Sequence, residues 1–178
     1  WVYVAFRVDD VAGAVAGIRA LGIRGASVTI PHKISVMRHL DAVDEKARAI
    51  GSINTIVNDS GTLRGFNFDG LGALQALREH GHDPSGRRVV VLGSGGAARA
   101  VCVTLALDAP PHDLIIMGIV PDELSSLERD IRTVSDISVQ TVFLNDNNLR
   151  QVFAGVDIVI NCTPVGMFPD VSASPVPL

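Results

Sequence analysis

The sequence predicts an α/β protein with a small α/β domain over residues 1–70 and a doubly wound parallel sheet over residues 71–178. Three observations lead to this class. Beyond residue 87, short runs rich in Val and Ile alternate with helical segments, as in strands covered by helices on both faces. Before it, helical segments flank a hairpin pattern. Between the two patterns, residues 80–87 (HGHDPSGR) are rich in turn formers. The domain boundary is placed ahead of them, after Gly70, and a hinge is expected near Asp69 and Gly70.

Composition narrows the class of protein further. The 178 residues are 47% hydrophobic and 19% charged, with a net charge of −4, which is typical of a folded chain and not of a disordered one. Basic residues are scattered, so nucleic acid is not an expected partner. No apolar run approaches the roughly 18 residues of a membrane span. No metal site is expected.

The two ends of the chain and its cysteines indicate the cellular compartment and whether the chain is part of a longer polypeptide. Two cysteines, Cys102 and Cys162, make a poor disulfide framework, and the start at Trp1 does not resemble a signal peptide. We therefore expect a cytoplasmic protein. Because the chain starts without Met and stops in SASPVPL, we also expect it to be part of a longer polypeptide, with the first part of domain 1–70 and the last part of domain 71–178 missing.

The first part of the chain carries clear start and stop signals. Asp10 and Asp44 precede helical patterns that end before Gly22 and Gly51. Pro31 ends a strand because it has no amide donor. The predicted elements are a helix from 10 to 21, a strand over 26–30, a helix over 44–50, hairpin strands over 53–57 and 62–66, and a helix over 69–79.

The second part alternates strictly between strand and helix. The predicted strands are 89–92, 114–117, 139–144 and 156–160, and the helices between them are 97–107, 122–134 and a shorter one ending at 153. Ligands of such sheets bind at the carboxyl ends of the strands. We therefore look for functional residues directly after each strand.

A glycine-rich turn follows the first strand of this part. Gly93, Ser94, Gly95 and Gly96 stand between a strand and a helix, where glycine permits a tight turn and backbone amides approach a diphosphate. An ordinary glycine turn is the alternative. The surrounding strand and helix pattern favours a dinucleotide-binding site.

The end of the next strand bears on the choice between NAD and NADP. The segment 118–123, GIVPDE, contains no basic residue to pair with a 2′-phosphate, and Asp122 and Glu123 would repel one. These acids are equally explained as the first turn of a helix. The segment gives a lean towards NAD, with NADP left open.

Three polar residues in the first 70 positions lie at the ends of predicted elements. Lys33 follows a strand, Asn54 begins one, and Asp69 begins a helix. Each alone is explained as a surface residue, a turn residue or a helix cap. Three such residues in one small domain indicate a site.

The motifs SVTIPHK, AIGSINT, GTLRGFNFDG, VLGSGGAARA and NCTPVGM together resemble those of the shikimate dehydrogenase family, in order and over almost the whole chain. The resemblance implies a substrate-binding domain followed by a Rossmann-like dinucleotide-binding domain. It also implies reversible hydride transfer between 3-dehydroshikimate and shikimate with NADP or NAD, in the biosynthesis of chorismate and aromatic amino acids.

The resemblance assigns roles to individual residues. Lys33 and Asp69 become the catalytic pair, which also contacts substrate together with Thr29 and Asn54. The expected cofactor-binding residues are Gly93, Ser94, Gly95, Gly96 and Ala97 at the diphosphate, Gly118 and Ile119 at the ribose, and Cys162, Thr163, Pro164 and Val165 at the nicotinamide.

Departures from the family pattern keep other functions open. Phe68 stands where the family has Thr, and Gly118–Val120 replaces its Asn-Arg-Thr, so a dehydrogenase of quinate or another polyol acid that prefers NAD is the second hypothesis. A non-catalytic dinucleotide-binding module is the third. The expected partner is a small molecule, and the expected assembly is a monomer or a homodimer.

Overall fold

The structure is a computed structural model that describes residues 2–176, and it divides into two compact units. The first ends at Asn67 and the second begins at Phe68, three residues before the boundary expected from the sequence. Asn67 belongs with the first unit because its buried side chain donates hydrogen bonds to Ser52. The expectations drawn from the two ends involve Trp1, Pro177 and Leu178, which lie outside the described residues.

The first unit is a four-stranded mixed sheet with helices. The strands have the order β1-β3-β4-β2, in which β2 runs parallel to β4 and the other pairs are antiparallel. Its elements are α1 (Val11–Ala20), β1 (Gly25–Ser27), a 3-10 helix (Ser35–His39), β2 (Ala42–Val43), α2 (Glu45–Ile50), β3 (Thr55–Asp59) and β4 (Thr62–Phe66).

Side-chain caps fix the two α-helices of this unit, as the sequence predicts. The Asp10 carboxylate accepts a hydrogen bond from the Gly13 amide at 3.0 Å, and Asp44 accepts from the amides of Lys46 and Ala47. Gly51 ends α2 with φ 72°, a left-handed conformation that favours glycine. The hairpin of β3 and β4 is also confirmed.

The segment between α1 and α2 differs from the prediction. The strand expected over 26–30 is wrong in length, because β1 ends at Ser27, opposite the first residue of β3. Beyond it the Val28 amide still donates to the Asn54 carbonyl at 2.7 Å, and the chain then leaves the sheet. The 3-10 helix and β2 were not expected, since each is too short to show a hydrophobic period.

The second unit is a parallel sheet with the strand order β7-β6-β5-β8, which confirms the predicted parallel sheet. Apart from the first residue of each, the two central strands are buried, as in Val89, Val91 and Ile116. Its elements are α3 (Asp69–Glu79), β5 (Arg88–Leu92), α4 (Gly96–Asp108), β6 (Asp113–Gly118), α5 (Pro121–Val134), β7 (Ser138–Phe143), α6 (Asp146–Val152) and β8 (Ile158–Asn161).

Most of the strand and helix ends fall within one or two residues of the expected ones. The strand predicted over 156–160 begins at Ile158, because Asp157 instead exchanges hydrogen bonds with the backbone of Arg88 at 3.0 Å and 2.8 Å. No helix in the described part of the chain is both long and apolar enough to cross a membrane.

Candidate active site

The glycine-rich turn after β5 lies directly on the loop after β8. Gly93 has φ 110°, and a Cβ atom there would lie 3.1 Å from the carbonyl carbon and oxygen of Cys162. Its amide donates to the Met117 carbonyl at 2.6 Å. Both the left-handed φ and the close approach require glycine at this position. The turn therefore joins the carboxyl ends of β5, β6 and β8.

The residues that follow present the amino end of α4. Gly95 is the N-cap and Gly96 the first helical residue, while Ala97 is exposed on the first turn. A Cβ atom at Gly95 would meet nothing within 4 Å, so open space adjoins the helix N-terminus. Backbone amides and the positive end of a 13-residue helix suit a diphosphate. The residues present therefore fit a dinucleotide.

The end of β6 is also part of this edge. Gly118 is buried, whereas Ile119 is 67% exposed. The buried Ser94 hydroxyl donates a hydrogen bond to Oε2 of Glu123 at 2.7 Å. The structure thus joins the candidate diphosphate segment to the candidate ribose segment through the side chain of Glu123. From the sequence, this side chain was explained only as part of the first turn of a helix or as a charge that would repel a 2′-phosphate.

Asn161 organises the loop that contains the expected nicotinamide residues. Its side-chain oxygen accepts hydrogen bonds from the Thr163 amide at 2.9 Å and the Thr163 hydroxyl at 2.7 Å. Its Nδ2 donates to the Val165 carbonyl at 3.1 Å, while Pro164 is exposed. This role was missed, although an Asn two residues before a Thr is a known signal for an Asx-turn.

Asp69 lies close enough to Cys162 to act on its titration. Burial, and to a smaller extent the negative charge of Asp69, together raise the pKa of the Cys162 thiol to about 11. Burial also raises the pKa of Cys102, which is fully buried in α4. Within the second unit, the candidate catalytic carboxylate and the loop after β8 are therefore neighbours.

The first unit gathers the other candidate residues at one place. The Lys33 carbonyl accepts a hydrogen bond from the Ile53 amide at 2.7 Å, and the Asn54 carbonyl accepts from Val28 at 2.7 Å. These bonds bring Lys33, Asn54 and the exposed Thr29 onto neighbouring segments. The Asn54 side-chain oxygen accepts a hydrogen bond from the Thr55 hydroxyl at 2.8 Å. Lys33, Thr29 and Asn54 belong to the first unit and Asp69 to the second.

A buried pair supports this part of the first unit. Asn67 Nδ2 donates to the carbonyl and the hydroxyl oxygen of Ser52, each at 3.0 Å, and the side chains are 4% and 0% exposed. The bonds fix the segment before Phe68 to the segment before Asn54. The sequence did not single out this pair, because two buried polar residues 15 positions apart leave no local pattern.

Two further observations concern the chemistry available. No group of three or more His, Cys, Asp and Glu side chains within residues 2–176 is arranged to hold a metal ion. Phe68, which replaces a Thr of the family pattern, is 51% exposed, so it is not simply an aromatic ring buried beneath the start of α3.

Comparison with known proteins covers the whole chain. A family model described as the shikimate dehydrogenase substrate binding domain matches residues 1–56. The shikimate dehydrogenase (NADP(+)) of Moorella thermoacetica is 43% identical over 178 residues, which is 99% of this chain and 60% of that protein. The chain thus spans about three-fifths of the length of this curated relative.

Solved structures agree in fold. Shikimate 5-dehydrogenase from Listeria monocytogenes, in complex with shikimate and NAD, matches with a TM-score of 0.87 and 34% identity over 99% of this chain and 63% of that one. A shikimate dehydrogenase in complex with NADP+ matches with a TM-score of 0.85 and 38% identity over 97% of this chain and 60% of that one.

One structure with a different substrate in its name is also similar. Quinate dehydrogenase from Corynebacterium glutamicum, in complex with NAD, matches with a TM-score of 0.79 and 28% identity over 90% of this chain and 57% of that one. The ordered motifs, the two units and these relatives lead to one conclusion: over the part of the family's length that it spans, the chain belongs to the shikimate dehydrogenase family.

Proposed function

We propose that the protein is an oxidoreductase that transfers a hydride reversibly between a nicotinamide dinucleotide and the C–OH group of shikimate, with 3-dehydroshikimate as the ketone. The observation that carries this proposal is the close approach of the glycine-rich turn to the loop after β8, where a Cβ atom at Gly93 would lie 3.1 Å from the Cys162 carbonyl. The negative charge of Asp69 acts on the thiol of Cys162 in this loop, which supports its assignment to the same site.

The chain's own residues must bind the substrate and move a proton. The nicotinamide ring, when bound, supplies or accepts the hydride. The alcohol loses a proton as it becomes a ketone, and the ketone gains one in the reverse direction. We assign this proton to Lys33 and Asp69, the catalytic pair that the resemblance to the family implies. Thr29 and Asn54 are assigned to substrate hydroxyl or carboxylate groups.

The cofactor assignment follows the open edge of the parallel sheet. Gly93 to Ala97 would hold the diphosphate, Gly118 and Ile119 the ribose, and Cys162 to Val165 the nicotinamide side. The bonds of Asn161 to Thr163 and Val165 support a preformed loop there. A preformed loop loses little conformational freedom on binding, which favours affinity.

The experiment is a spectrophotometric assay of nicotinamide reduction with shikimate and with quinate, each with NAD and NADP. Lys33→Ala is expected to lower kcat far more than it changes KM, because the lost group acts on the proton in the transition state. Lys46→Ala, a change of the same type on α2, is the matched control. Unchanged turnover in Lys33→Ala would remove Lys33 from the mechanism.

Quinate or another polyol acid is the second candidate substrate. The half-exposed Phe68, next to Asp69, favours it, because an aromatic ring at this position replaces a small polar side chain of the family pattern. Activity with quinate and none with shikimate would select this candidate. Cofactor binding without activity on either acid would instead select the non-catalytic module.

The protein's setting is proposed on the same basis. We propose a cytoplasmic enzyme with small-molecule partners. Whether it is a monomer or a homodimer is decided by its mass in solution, measured by light scattering.

A further inference from the structure

The hydrogen bond between Ser94 and Glu123 connects the turn after β5 to the start of α5, two segments that are separate in sequence. Ser94 follows β5 and is 6% exposed, whereas Glu123 lies in the first turn of α5, after β6. Their oxygens are 2.7 Å apart. In a doubly wound sheet, the first of these loops holds a diphosphate and the end of the second strand faces the adenosine ribose. The bond therefore turns the Glu123 carboxylate towards the glycine-rich turn.

The absence of a side chain at Gly118 makes room for this arrangement. A Cβ atom there would lie 3.0 Å from the Ser94 hydroxyl oxygen and 3.2 Å from Ser94 Cβ and from Leu124 Cδ2. Contacts this short force a neighbour to move. A larger residue at position 118 would thus require Ser94 or Leu124 to shift by a few tenths of an ångström. Gly118, Ser94 and Glu123 form one packed group.

The charged residues in the segments next to Gly118, Ser94 and Glu123 are all acidic. The segments that follow the adjacent strands β5, β6 and β7, residues 93–98, 119–123 and 144–148, contain Asp122, Glu123 and Asp146 and no Lys or Arg. The nearest arginine in sequence, Arg99, forms an ion pair with Asp130. A 2′-phosphate requires cationic donors at this edge, and these segments supply carboxylates instead.

We propose that the Ser94–Glu123 pair reads the 2′ position of the adenosine ribose and makes the protein select NAD over NADP. This inference rests on the proposed dinucleotide site. A carboxylate accepts about four hydrogen bonds, so Glu123 accepts one from a ribose hydroxyl in addition to that from Ser94. A 2′-phosphate in the same place brings two like charges together, which is unfavourable. The preference is opposite to the NADP(+) in the name of the Moorella relative.

Isothermal titration of the protein with NAD+ and NADP+ tests the proposal without requiring turnover. The wild type is expected to bind NAD+ at least about tenfold more tightly than NADP+. Glu123→Gln removes the charge but keeps an oxygen that accepts from Ser94, so the ratio of the two Kd values is expected to fall towards one. Asp122→Asn, one residue away and not bonded to Ser94, is the matched control and is expected to keep most of the preference.

The salt dependence of the two Kd values is a second measurement, and it distinguishes an electrostatic origin of the cofactor preference from a steric one. Screening of the exposed Glu123 carboxylate between about 0.05 M and about 1 M salt is expected to narrow the preference for NAD+, because both cofactors share the diphosphate and differ only in the 2′-phosphate. A preference that widens with salt, equal or tighter binding of NADP+, or an unchanged ratio in Glu123→Gln would each overturn the inference. Binding of neither cofactor would overturn the proposed function itself, and with it this inference.

Discussion

The close packing of α3 on α4 depends on Gly70. A Cβ atom there would overlap the carbonyl oxygen of Ala100 and the hydroxyl oxygen of Thr104, and would lie 2.7 Å from Thr104 Cβ. Optimal separations between carbon atoms are about 3.5–4.0 Å, so the shortfall is about 1 Å. Because Ala100 contributes backbone, no change of rotamer relieves the overlap. Gly70→Ala must therefore push the two helices apart.

A second glycine of the same helix provides the control. At Gly72 a Cβ atom would meet nothing within 4 Å, so Gly72→Ala gains helix propensity without a clash. The gain is about 0.5–1 kcal/mol. Overpacking costs about 1–3 kcal/mol, and the backbone overlap places Gly70→Ala near the upper end of that range. When the same gain in helix propensity is subtracted from this cost, Gly70→Ala is expected to lose about 2 kcal/mol of unfolding free energy.

Thermal and denaturant unfolding of the two variants measure this difference. For a chain of this length a change of 1 kcal/mol shifts the Tm by about 2–4 °C, so Gly70→Ala is expected to lower the Tm by about 4–8 °C. Gly72→Ala is expected to raise it by up to about 4 °C. If Gly70→Ala were as stable as the wild type, or were stabilised like Gly72→Ala, the reasoning from the helix approach would be refuted.

Two further predictions concern the site and its support. Asp69→Asn removes the second cause of the raised thiol pKa of Cys162, so the pH midpoint of Cys162 alkylation should fall below about 11 but stay above 9.0, because burial persists. The control Asp136→Asn is expected to leave the midpoint unchanged. An unchanged midpoint in Asp69→Asn would show that its charge does not act on Cys162. Asn67→Ala removes the partner of the buried Ser52 hydroxyl and should cost about 1–3 kcal/mol of unfolding free energy. Asn147→Ala, at an exposed position, is its control, and equal stability of the two variants would contradict the role of Asn67.

Local signals explain which parts of the fold were predictable. Helix α2 has an aspartate before it and a glycine after it, and the structure uses both. The parallel sheet was predictable because its central strands β5 and β6 are buried on both faces and therefore form continuous apolar runs. The 3-10 helix at Ser35–His39 has neither signal, and only Val36 in it is buried. Its position follows from the tertiary bond between Lys33 and Ile53, which no local pattern encodes.

The candidate site likewise has parts that could be predicted from the sequence and parts that could not. The glycine-rich turn could be found because its residues are consecutive and lie between a strand and a helix. Partners distant in sequence could not be found: Ser94 and Glu123 are 29 positions apart, and each has an ordinary local explanation. The degree of exposure of Phe68, which is half exposed, likewise depends on tertiary packing and is not encoded by its position next to a helix start.

Cofactor choice at this sheet edge is separable from the fold. The backbone bonds that position the loops join Gly93 to Met117 at 2.6 Å and Cys162 to Leu92 at 2.8 Å, and they do not involve the side chain of Glu123. That side chain is exposed, so a change of its charge costs little stability, whereas it alters the electrostatic environment of a nearby phosphate. If the proposal is correct, we expect relatives that share this sheet but differ in cofactor preference to differ in charge at the position of Glu123, in the first turn of α5.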